Sequence, residues 1–217
     1  MPHTVIREKP ILFSAPMVRA IMDGRKTQTR RIVKPQPVNQ LVYVDGHAPN
    51  GDQYLCEWVE EGAGYDALRK CPYGTIGDRL WVRESWMPLW DAGDGSYTCL
   101  PPTGCEYTPD IIKYRADGEK PKNFAASWRH ARYMPRVASR LTLEITDIRV
   151  ERLQDISNND AIDEGCSGER WHEGDGNEGQ VEPWEQFRDL WESINGPDSW
   201  TANPWVWAIS FRRLENQ

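Results

Sequence analysis

Hydrophobic positions near the start of the chain predict a strand, a short helix and a second strand in quick succession. Residues 11–13, "ILF", are typical of a short buried strand. Apolar side chains within residues 18–22 then recur at helical spacing, and Gly24 supplies the conformational freedom with which helices often end. The following run "TQTRRIV" is rich in β-branched residues, which favours a second strand.

Alternating apolar and polar residues predict further strands downstream. In "GDRLWVRESW", Leu80, Val82 and Glu84 fall on one face by the period-two rule. The longest pattern is "SRLTLEITDIRVERL", residues 139–153, whose phase slips near Thr146–Asp147 and therefore predicts a β-bulge. A strand is also predicted at "IIKYRA", and "WVWAISFRR" predicts the last one.

Two more helices are predicted in the last third of the chain. In "SNNDAIDEG", Ser157 and Asp160 have the spacing of a capping box, and Gly165 ends the helix. Residues 184–194 carry an apolar helical stripe. Strands without regular helical crossovers favour an α+β fold in which a mixed or antiparallel sheet curls into a small barrel.

The length of 217 residues suits a single domain spanning residues 1–217, with long loops at about 37–75, 87–126 and 167–183. Eleven tryptophans compensate for a hydrophobic fraction of 39%. The net charge of −7 argues against binding to long duplex DNA, although a small basic pocket for one nucleotide or a short single strand remains compatible with it. The oligomeric state cannot be read from these patterns.

Other features of the sequence concern location and cofactors. No apolar run is long enough for a transmembrane helix, and the first ten residues lack the apolar core of a signal peptide. Five cysteines without a C-x-x-C pair favour reduced thiols in the cytoplasm. Neither the Cys and His spacings nor any nucleotide-binding motif predicts a metal or another cofactor.

The basic stretch "GRKTQTRR" is the first candidate for chemistry. Neighbouring charges on Arg25 and Arg31, together with any burial, lower the pKa of Lys26 toward that of a useful base. Thr29 offers a hydroxyl, which meets Lys26 only if the lysine lies in the turn and the strand begins near Gln28. The alternative is a solvated basic strand edge that resists aggregation.

Two carboxylates and one tryptophan are further candidates. Glu164 falls in the last turn of its helix, where the helix dipole raises the pKa of a carboxylate; the alternative is an exposed side chain in a poor position. Glu84 is predicted to be buried with arginines of residues 25–31, either in a structural ion pair or as a group that reads a base. Trp81 could stack on a base or belong to the core.

Four segments resemble the ASCH domain: "ILFSAPMVRAIMDGRKTQTRR", "GDRLWVRESW", "LTLEITDIRVERLQDISNNDAIDEG" and "NPWVWAISFRR". They extend in order from about residue 10 to residue 213 and are similar to proteins often encoded by bacteriophages and prophages. The resemblance implies a PUA-like fold, a small β-barrel with flanking helices and a cleft associated with RNA or modified nucleosides.

One small bacterial branch of that family hydrolyses N4-acetylcytidine to cytidine and acetate. The resemblance assigns its catalytic lysine, threonine and glutamate to Lys26, Thr29 and Glu164. In the implied mechanism the lysine activates the threonine hydroxyl, which attacks the acyl carbon, and the glutamate helps to move protons to the leaving amine. Arg30 stands where those enzymes have an apolar residue, and this chain is longer than theirs.

Three hypotheses follow from the residues and the resemblance together. The first is an amidohydrolase that acts on a modified nucleoside without a cofactor or a metal, in which Arg25, Arg31, Glu84 and Trp81 bind the substrate. The second is a non-catalytic module that binds RNA or a nucleotide. The third is a ribonuclease that uses the same cleft, a role to which other ASCH proteins have been linked.

Overall fold

The chain has an α+β fold with a mostly antiparallel main sheet, as the sequence predicts. The computed structural model describes residues 5–36, 41–42, 57–58, 71–91, 97–98, 107–108, 111–118, 127–170 and 179–215. The α-helices in these ranges are α1 (Ala15–Met22), α2 (Asn158–Asp163) and α3 (Pro183–Asn195). The strands are β1 (Glu8–Leu12), β2 (Gln28–Ile32), β3 (Leu41–Val42), β4 (Glu57–Trp58), β5 (Arg79–Arg83), β6 (Trp86–Pro88), β7 (Trp90–Asp91), β8 (Tyr97–Thr98), β9 (Ile112–Tyr114), β10 (Thr142–Arg152), β11 (Glu169–Arg170), β12 (Gly179–Gln180) and β13 (Trp205–Leu214).

Five strands form the main sheet in the order β1-β5-β10-β13-β2. The pair β1 and β5 is parallel and the other pairs are antiparallel, so the sheet is mixed. The sheet is not a closed barrel, because β1 and β2 remain separate edges among the described residues. Helix α1 lies in the connection between these two edge strands and fills the core there with Val18 and Ile21.

The longest strand pair, β10 with β13, confirms the predicted bulge. Its register shifts between Ile145 and Asp147, which is where the apolar alternation of the sequence changes phase. The extra residue lets Ile145 and Ile148 both face the main core despite their odd spacing. The alternation of β13 is also confirmed, since Trp207 and Ile209 join the main core.

A second apolar cluster covers the opposite side of β13 and contains α2 and α3. It includes Ala161, Phe187, Trp191 and Val206. The predicted capping box of α2 is present, because the Ser157 hydroxyl and the Asp160 carboxylate each accept from the other residue's backbone N–H. This cluster holds both helices beside β2, where the candidate site lies.

The predicted long loops coincide largely with residues outside the described ranges. Of the hairpin predicted around "LVYV", only Leu41–Val42 is described, and it pairs with Glu57–Trp58. The predicted strand at "IIKYRA" corresponds to β9, which pairs with β6. A third apolar cluster forms here around Trp86, Ile112, Tyr114 and Met134.

Candidate active site

The turn after α1 places Lys26 inside the protein. Gly24 adopts a φ of 74°, in the left-handed region that glycine enters without steric cost. The backbone N–H of Lys26 then donates to the Ala20 carbonyl at 3.0 Å, and that of Thr27 donates to the Asp163 carbonyl at 2.8 Å. Lys26 is therefore only 2% exposed and lies in the turn that precedes β2.

The Lys26 ammonium is surrounded by three acceptors. Its Nζ donates to the Gln28 carbonyl at 2.8 Å, to the Glu164 carbonyl at 2.9 Å and to Glu164 Oε2 at 2.5 Å. These contacts use all three of its N–H donors. Burial lowers the pKa of Lys26; the Glu164 carboxylate partly opposes this, and nearby Arg31 lowers it further. The predicted direction is confirmed, although burial rather than the arginines is the largest cause.

Glu164 follows the last residue of α2 and turns its carboxylate into the protein, where it is 4% exposed. Its second oxygen, Oε1, lies 3.5 Å from Nη1 of Arg30. Gly165 follows with a φ of 95°, and a Cβ there would contact Ala20 and Lys26 at 3.4 and 3.5 Å. The end of α2 thus packs closely on Lys26, which brings together two residues 138 positions apart.

Arg30 extends this pair into a larger buried network. Its guanidinium donates to Glu151 at 2.9 and 2.6 Å and to Gln28 Oε1 at 2.7 Å. Arg149 donates to Glu151 at 2.7 Å and to Asp160 at 2.5 Å. The network contains three cations, Lys26, Arg30 and Arg149, and three carboxylates, Glu151, Asp160 and Glu164, so its formal charge is balanced.

The outer edge of β2 presents unpaired backbone groups next to this network. The Val33 N–H donates to the Trp205 carbonyl, which places the odd-numbered residues of β2 in hydrogen-bonded pairs with β13. The N–H and C=O of Gln28 and Arg30 therefore point to the opposite edge. The Gln28 carbonyl accepts from Lys26 there, whereas those of Arg30 have no backbone partner within the described ranges.

A cavity of about 70 Å³ lies along this edge. Successive side chains of a strand point to opposite faces. Contact with four consecutive residues, 29–32, therefore means that the cavity follows the strand edge. Its lining consists of Met17, residues 29–32, Glu164, Phe187, Leu190, Trp191, Ile194 and Asn195.

Of the three predicted catalytic residues, Thr29 and Glu164 line the cavity, and Lys26 lies against Glu164 with a fully buried side chain. Thr29 is 2% exposed, and its hydroxyl makes no hydrogen bond to any described residue. Lys26 reaches the peptide unit that joins Gln28 to Thr29 through the Gln28 carbonyl. Thr29 and Glu164 thus line one small space, and the buried Lys26 amine binds the Glu164 carboxylate beside it.

The two predicted arginines of the same stretch lie in different environments. Arg31 lines the cavity, donates to the Leu12 carbonyl at 2.7 Å and lies 5.2 Å from the centre of the Phe13 ring. Arg25 is exposed and pairs with Asp23 at 2.7 Å. The structure therefore brings Arg31, but not Arg25, to the candidate site.

The predicted partner of Glu84 is wrong. Glu84 is 1% exposed and binds Arg140 through both oxygens, at 2.9 and 3.2 Å, rather than an arginine of residues 25–31. Strands β10 and β13 lie between β5 and β2 in the sheet, so the two ends of the expected pair are three strand spacings apart, about 14 Å. Burial raises the pKa of Glu84, and Arg140 opposes this.

Trp81 also lies on β5, away from the residues that line the cavity. It is 8% exposed, and the guanidinium carbons of Arg83 and Arg136 lie 4.5 and 5.9 Å from its ring centre. Its ring thus packs against arginines at a place in the sheet remote from the cavity. The structure does not bring Trp81 or Glu84 together with Thr29 and Glu164.

Sequence reasoning did not identify the residues that support the site. Arg149 and Glu151 carry a signal that could have been used, because charged residues at alternate positions of one strand face the same neighbours. Ile194 belongs to a predicted apolar stripe but remains 55% exposed, because it lines the cavity rather than the core. The contribution of α3 to the cavity depends on tertiary packing that no local pattern specifies.

No family model matches this chain, and comparisons with curated proteins and with solved structures find no match. Within the described ranges, no helix combines the length and the apolar character needed to cross a membrane.

Proposed function

We propose that the protein is a PUA-like ASCH protein that hydrolyses the N-acyl amide of a modified nucleoside of the N4-acetylcytidine type. The observation that carries this proposal is the buried Lys26–Glu164 pair beside a cavity that Thr29 also lines. The four sequence segments that resemble the ASCH domain motivate the family assignment, while the open sheet departs from the closed barrel that the resemblance implies.

The surroundings of Lys26 allow one proton to lie either on its Nζ or on Oε2 of Glu164. The carbonyls of Gln28 and Glu164 only accept hydrogen bonds, whereas the Glu164 carboxyl group accepts when ionised and donates when protonated. Moving the proton from Nζ to Oε2 leaves a neutral amine that still donates to both carbonyls. Burial lowers the pKa of Lys26 and so eases the release of its proton relative to a lysine in water.

The neutral pair supplies a base and an acid at once. As Glu164 turns its proton toward the amide nitrogen, the lone pair of Lys26 becomes available for the Thr29 hydroxyl. The Thr29 oxygen then bonds to the acyl carbon, the carbon–nitrogen bond breaks, and the nitrogen leaves as the amine with the proton from Glu164. Lys26 and Glu164 are now an ammonium and a carboxylate.

Hydrolysis of the acyl-threonine restores the starting state. A water molecule attacks the ester and gives its proton to Glu164, while the Thr29 oxygen leaves with a proton from Lys26. The products are the amine, the carboxylic acid and the neutral pair. The sum is addition of one water to one amide, so no cofactor is required for the balance.

The cavity edge suits a planar polar ligand. The N–H and C=O of Arg30, which have no backbone partner among the described residues, offer one donor and one acceptor side by side, which is the pattern a nucleobase edge also carries. Arg31 adds a positive charge, and Phe187 and Trp191 add aromatic surface. We infer that the base lies along β2 with its acylated nitrogen toward Glu164.

The test is release of cytidine from N4-acetylcytidine, followed by chromatography. We expect turnover by the native protein and a loss of about a hundredfold or more for Thr29→Val, which removes the nucleophile. Thr27→Val is the matched control, because the Thr27 hydroxyl is exposed and bonds Asp163 outside the cavity. Equal loss in both variants, or full activity of Thr29→Val, would refute the mechanism.

A non-catalytic binding module is the second candidate, and one observation favours it. All three N–H donors of Lys26 are satisfied and the surrounding charges balance. A stable network of this kind also suits a site that binds a ligand without reacting with it. Nucleoside binding without turnover, measured by calorimetry and retained in Thr29→Val, would establish this alternative. Cleavage of RNA strands without nucleoside hydrolysis would instead support a ribonuclease.

A further inference from the structure

A second charged surface lies away from the cavity, on the segment 127–140. Its sequence, "SWRHARYMPRVASR", contains four arginines, one histidine and no acidic residue, in a chain whose net charge is −7. Such a local excess of positive charge needs an explanation that the cavity does not provide. We call Arg83, His130, Arg132, Tyr133 and Arg136 the arginine–tyrosine surface.

The segment is held in place by its small and apolar residues. Met134 and Ala138 are 1% and 0% exposed and pack with Trp86 in the third apolar cluster. The Tyr114 hydroxyl donates to the Ala138 carbonyl at 2.9 Å. Trp86 and Arg129 also exchange backbone hydrogen bonds in both directions. The side chains that point outward are therefore presented from a fixed backbone.

The arginine–tyrosine surface is continuous. Arg83 donates to the Arg132 carbonyl at 3.3 Å, and the guanidinium groups of Arg83 and Arg136 both lie over the Trp81 ring. Tyr133 is 71% exposed, and its ring is within 6.5 Å of the His130 ring. The guanidinium groups of Arg83 and Arg136 and the exposed ring of Tyr133 thus occupy neighbouring positions.

Positive charge on this surface is only partly neutralised. Glu8 pairs with Arg136 at 3.0 Å, whereas Arg83 and Arg132 form no ion pair with any described carboxylate. In addition, the Arg83 Nε is buried and has no hydrogen-bond partner in the part of the chain that the structure describes. Three arginines against one glutamate leave a local charge of +2 beside an exposed tyrosine.

We propose that the arginine–tyrosine surface binds a single-stranded polynucleotide. Guanidinium groups bind phosphate oxygens through paired N–H donors, and an exposed tyrosine ring stacks on an unpaired base. A duplex would hide its bases from Tyr133, so a single strand fits better than a double helix. Anionic lipid fits less well, because Tyr133 and Val137 on two single-turn 3-10 helices offer little apolar area for insertion.

This inference involves none of the residues that line the cavity and holds whether or not the cavity is catalytic. If both proposals hold, the modified base belongs to a strand rather than to a free nucleoside. The strand would then contact the protein at two places, one that reads the base and one that binds its neighbours.

The test is fluorescence anisotropy with a short labelled RNA of unmodified bases, and with DNA of the same sequence, at salt concentrations between about 50 and about 200 mM. We expect the native protein to bind at least one strand. Arg132→Gln/Arg136→Gln should reduce the slope of log affinity against log salt by about 1.4, because two phosphate contacts are lost. Tyr133→Ala should weaken binding about tenfold without changing the slope.

The matched control is Arg188→Gln/Arg212→Gln, which removes the same charge elsewhere, from side chains that are 34% and 66% exposed. Circular dichroism melting of each variant verifies that the fold is retained. The proposal is overturned if neither strand binds, if the control variant loses as much affinity as Arg132→Gln/Arg136→Gln, or if only vesicles containing phosphatidylserine bind. Preference for RNA over DNA, or the reverse, identifies the kind of strand.

Discussion

Glu164 and Glu84 are two buried carboxylates paired with cations, yet their surroundings differ. Glu164 is 4% exposed and binds Lys26, and its side chain also lines a cavity. Glu84 is 1% exposed and binds Arg140, whose Nη1 donates to the two Asp117 carboxylate oxygens at 2.7 and 2.9 Å. Burial and ion pairing are therefore shared features and do not by themselves identify a reactive group.

The difference lies in the cation and in access. A lysine amine can release its proton when it is buried, whereas a guanidinium stays charged in proteins. Proton exchange within the pair is thus available at Glu164 and unavailable at Glu84. Among the described residues, the lysine pair adjoins a cavity that Thr29, a residue with a hydroxyl, also lines. Chemistry is expected at the first carboxylate and structural support at the second.

The largest expected effect is on turnover. Glu164→Gln keeps the size of the side chain but removes the exchangeable proton, so the rate of cytidine release should fall by about 10² to 10⁴. Glu84→Gln should leave that rate within about twofold, because Glu84 touches neither the cavity nor Lys26. The measurement is kcat for both variants under saturating N4-acetylcytidine. Equal loss in the two variants would remove the distinction drawn between the two carboxylates.

The next effect is on stability. Lys26→Met leaves the Glu164 carboxylate buried, with Arg30 at 3.5 Å as its remaining ion-pair partner among the described residues. Removing one partner of a buried pair typically costs about 3–5 kcal/mol, so the free energy of unfolding should fall by about 3 kcal/mol in urea denaturation. In Lys26→Met/Glu164→Gln the uncompensated charge is gone, and a large part of the loss should be recovered.

The result for the double variant decides between two explanations. Recovery shows that the loss in Lys26→Met came from an unpaired charge, as the geometry indicates. No recovery would mean that Lys26 stabilises the protein mainly by packing its carbon chain against Phe13 and the end of α2. A loss below about 1 kcal/mol would show that water reaches Glu164 more freely than its 4% exposure suggests.

Local patterns in the sequence predicted the elements of the fold well. The capping box at Ser157, the bulge near Thr146–Asp147 and the alternation in β13 each depend on neighbouring residues, and each is present. Strand order depends instead on which elements meet after folding. That is why two predictions, the closed barrel and the pairing of Glu84 with arginines of residues 25–31, differ from the structure.

The candidate site could be predicted only in part for the same reason. Lys26 and Thr29 lie three residues apart, so a turn followed by a strand was enough to suggest that they are close. Glu164 was attached to them by the family resemblance, since its distance along the chain gives no local information. The cavity wall formed by α3 depends on how Phe187 and Trp191 pack in the second cluster, and no periodicity specifies that.

The smallest expected effect is on stability at acid pH. It should differ in sign between the network around Glu164 and the Glu84–Arg140 pair. Burial alone would raise the pKa of Asp160, but the Ser157 hydroxyl and Arg149 more than offset this and lower it to about 2. A carboxylate whose pKa is lowered on folding contributes stability above its unfolded pKa of about 3.8. That contribution is lost as the pH falls toward 2.

Asp160→Asn should therefore destabilise the protein by about 1 kcal/mol above about pH 4, a value reduced because the carboxylate is partly solvated. The deficit should shrink as the pH falls toward 2, where the native carboxylate is protonated as well. Glu84→Gln should give the opposite trend: burial raises the pKa of Glu84, so the native carboxyl group contributes most at low pH and loses this contribution as the pH rises. Urea denaturation of both variants, from pH 2 to well above the unfolded Glu84 pKa of about 4.5, measures the two slopes. Parallel slopes would mean that the two carboxylates have similar environments, and the contrast between the partly exposed Asp160 of the network and the buried Glu84 would fail.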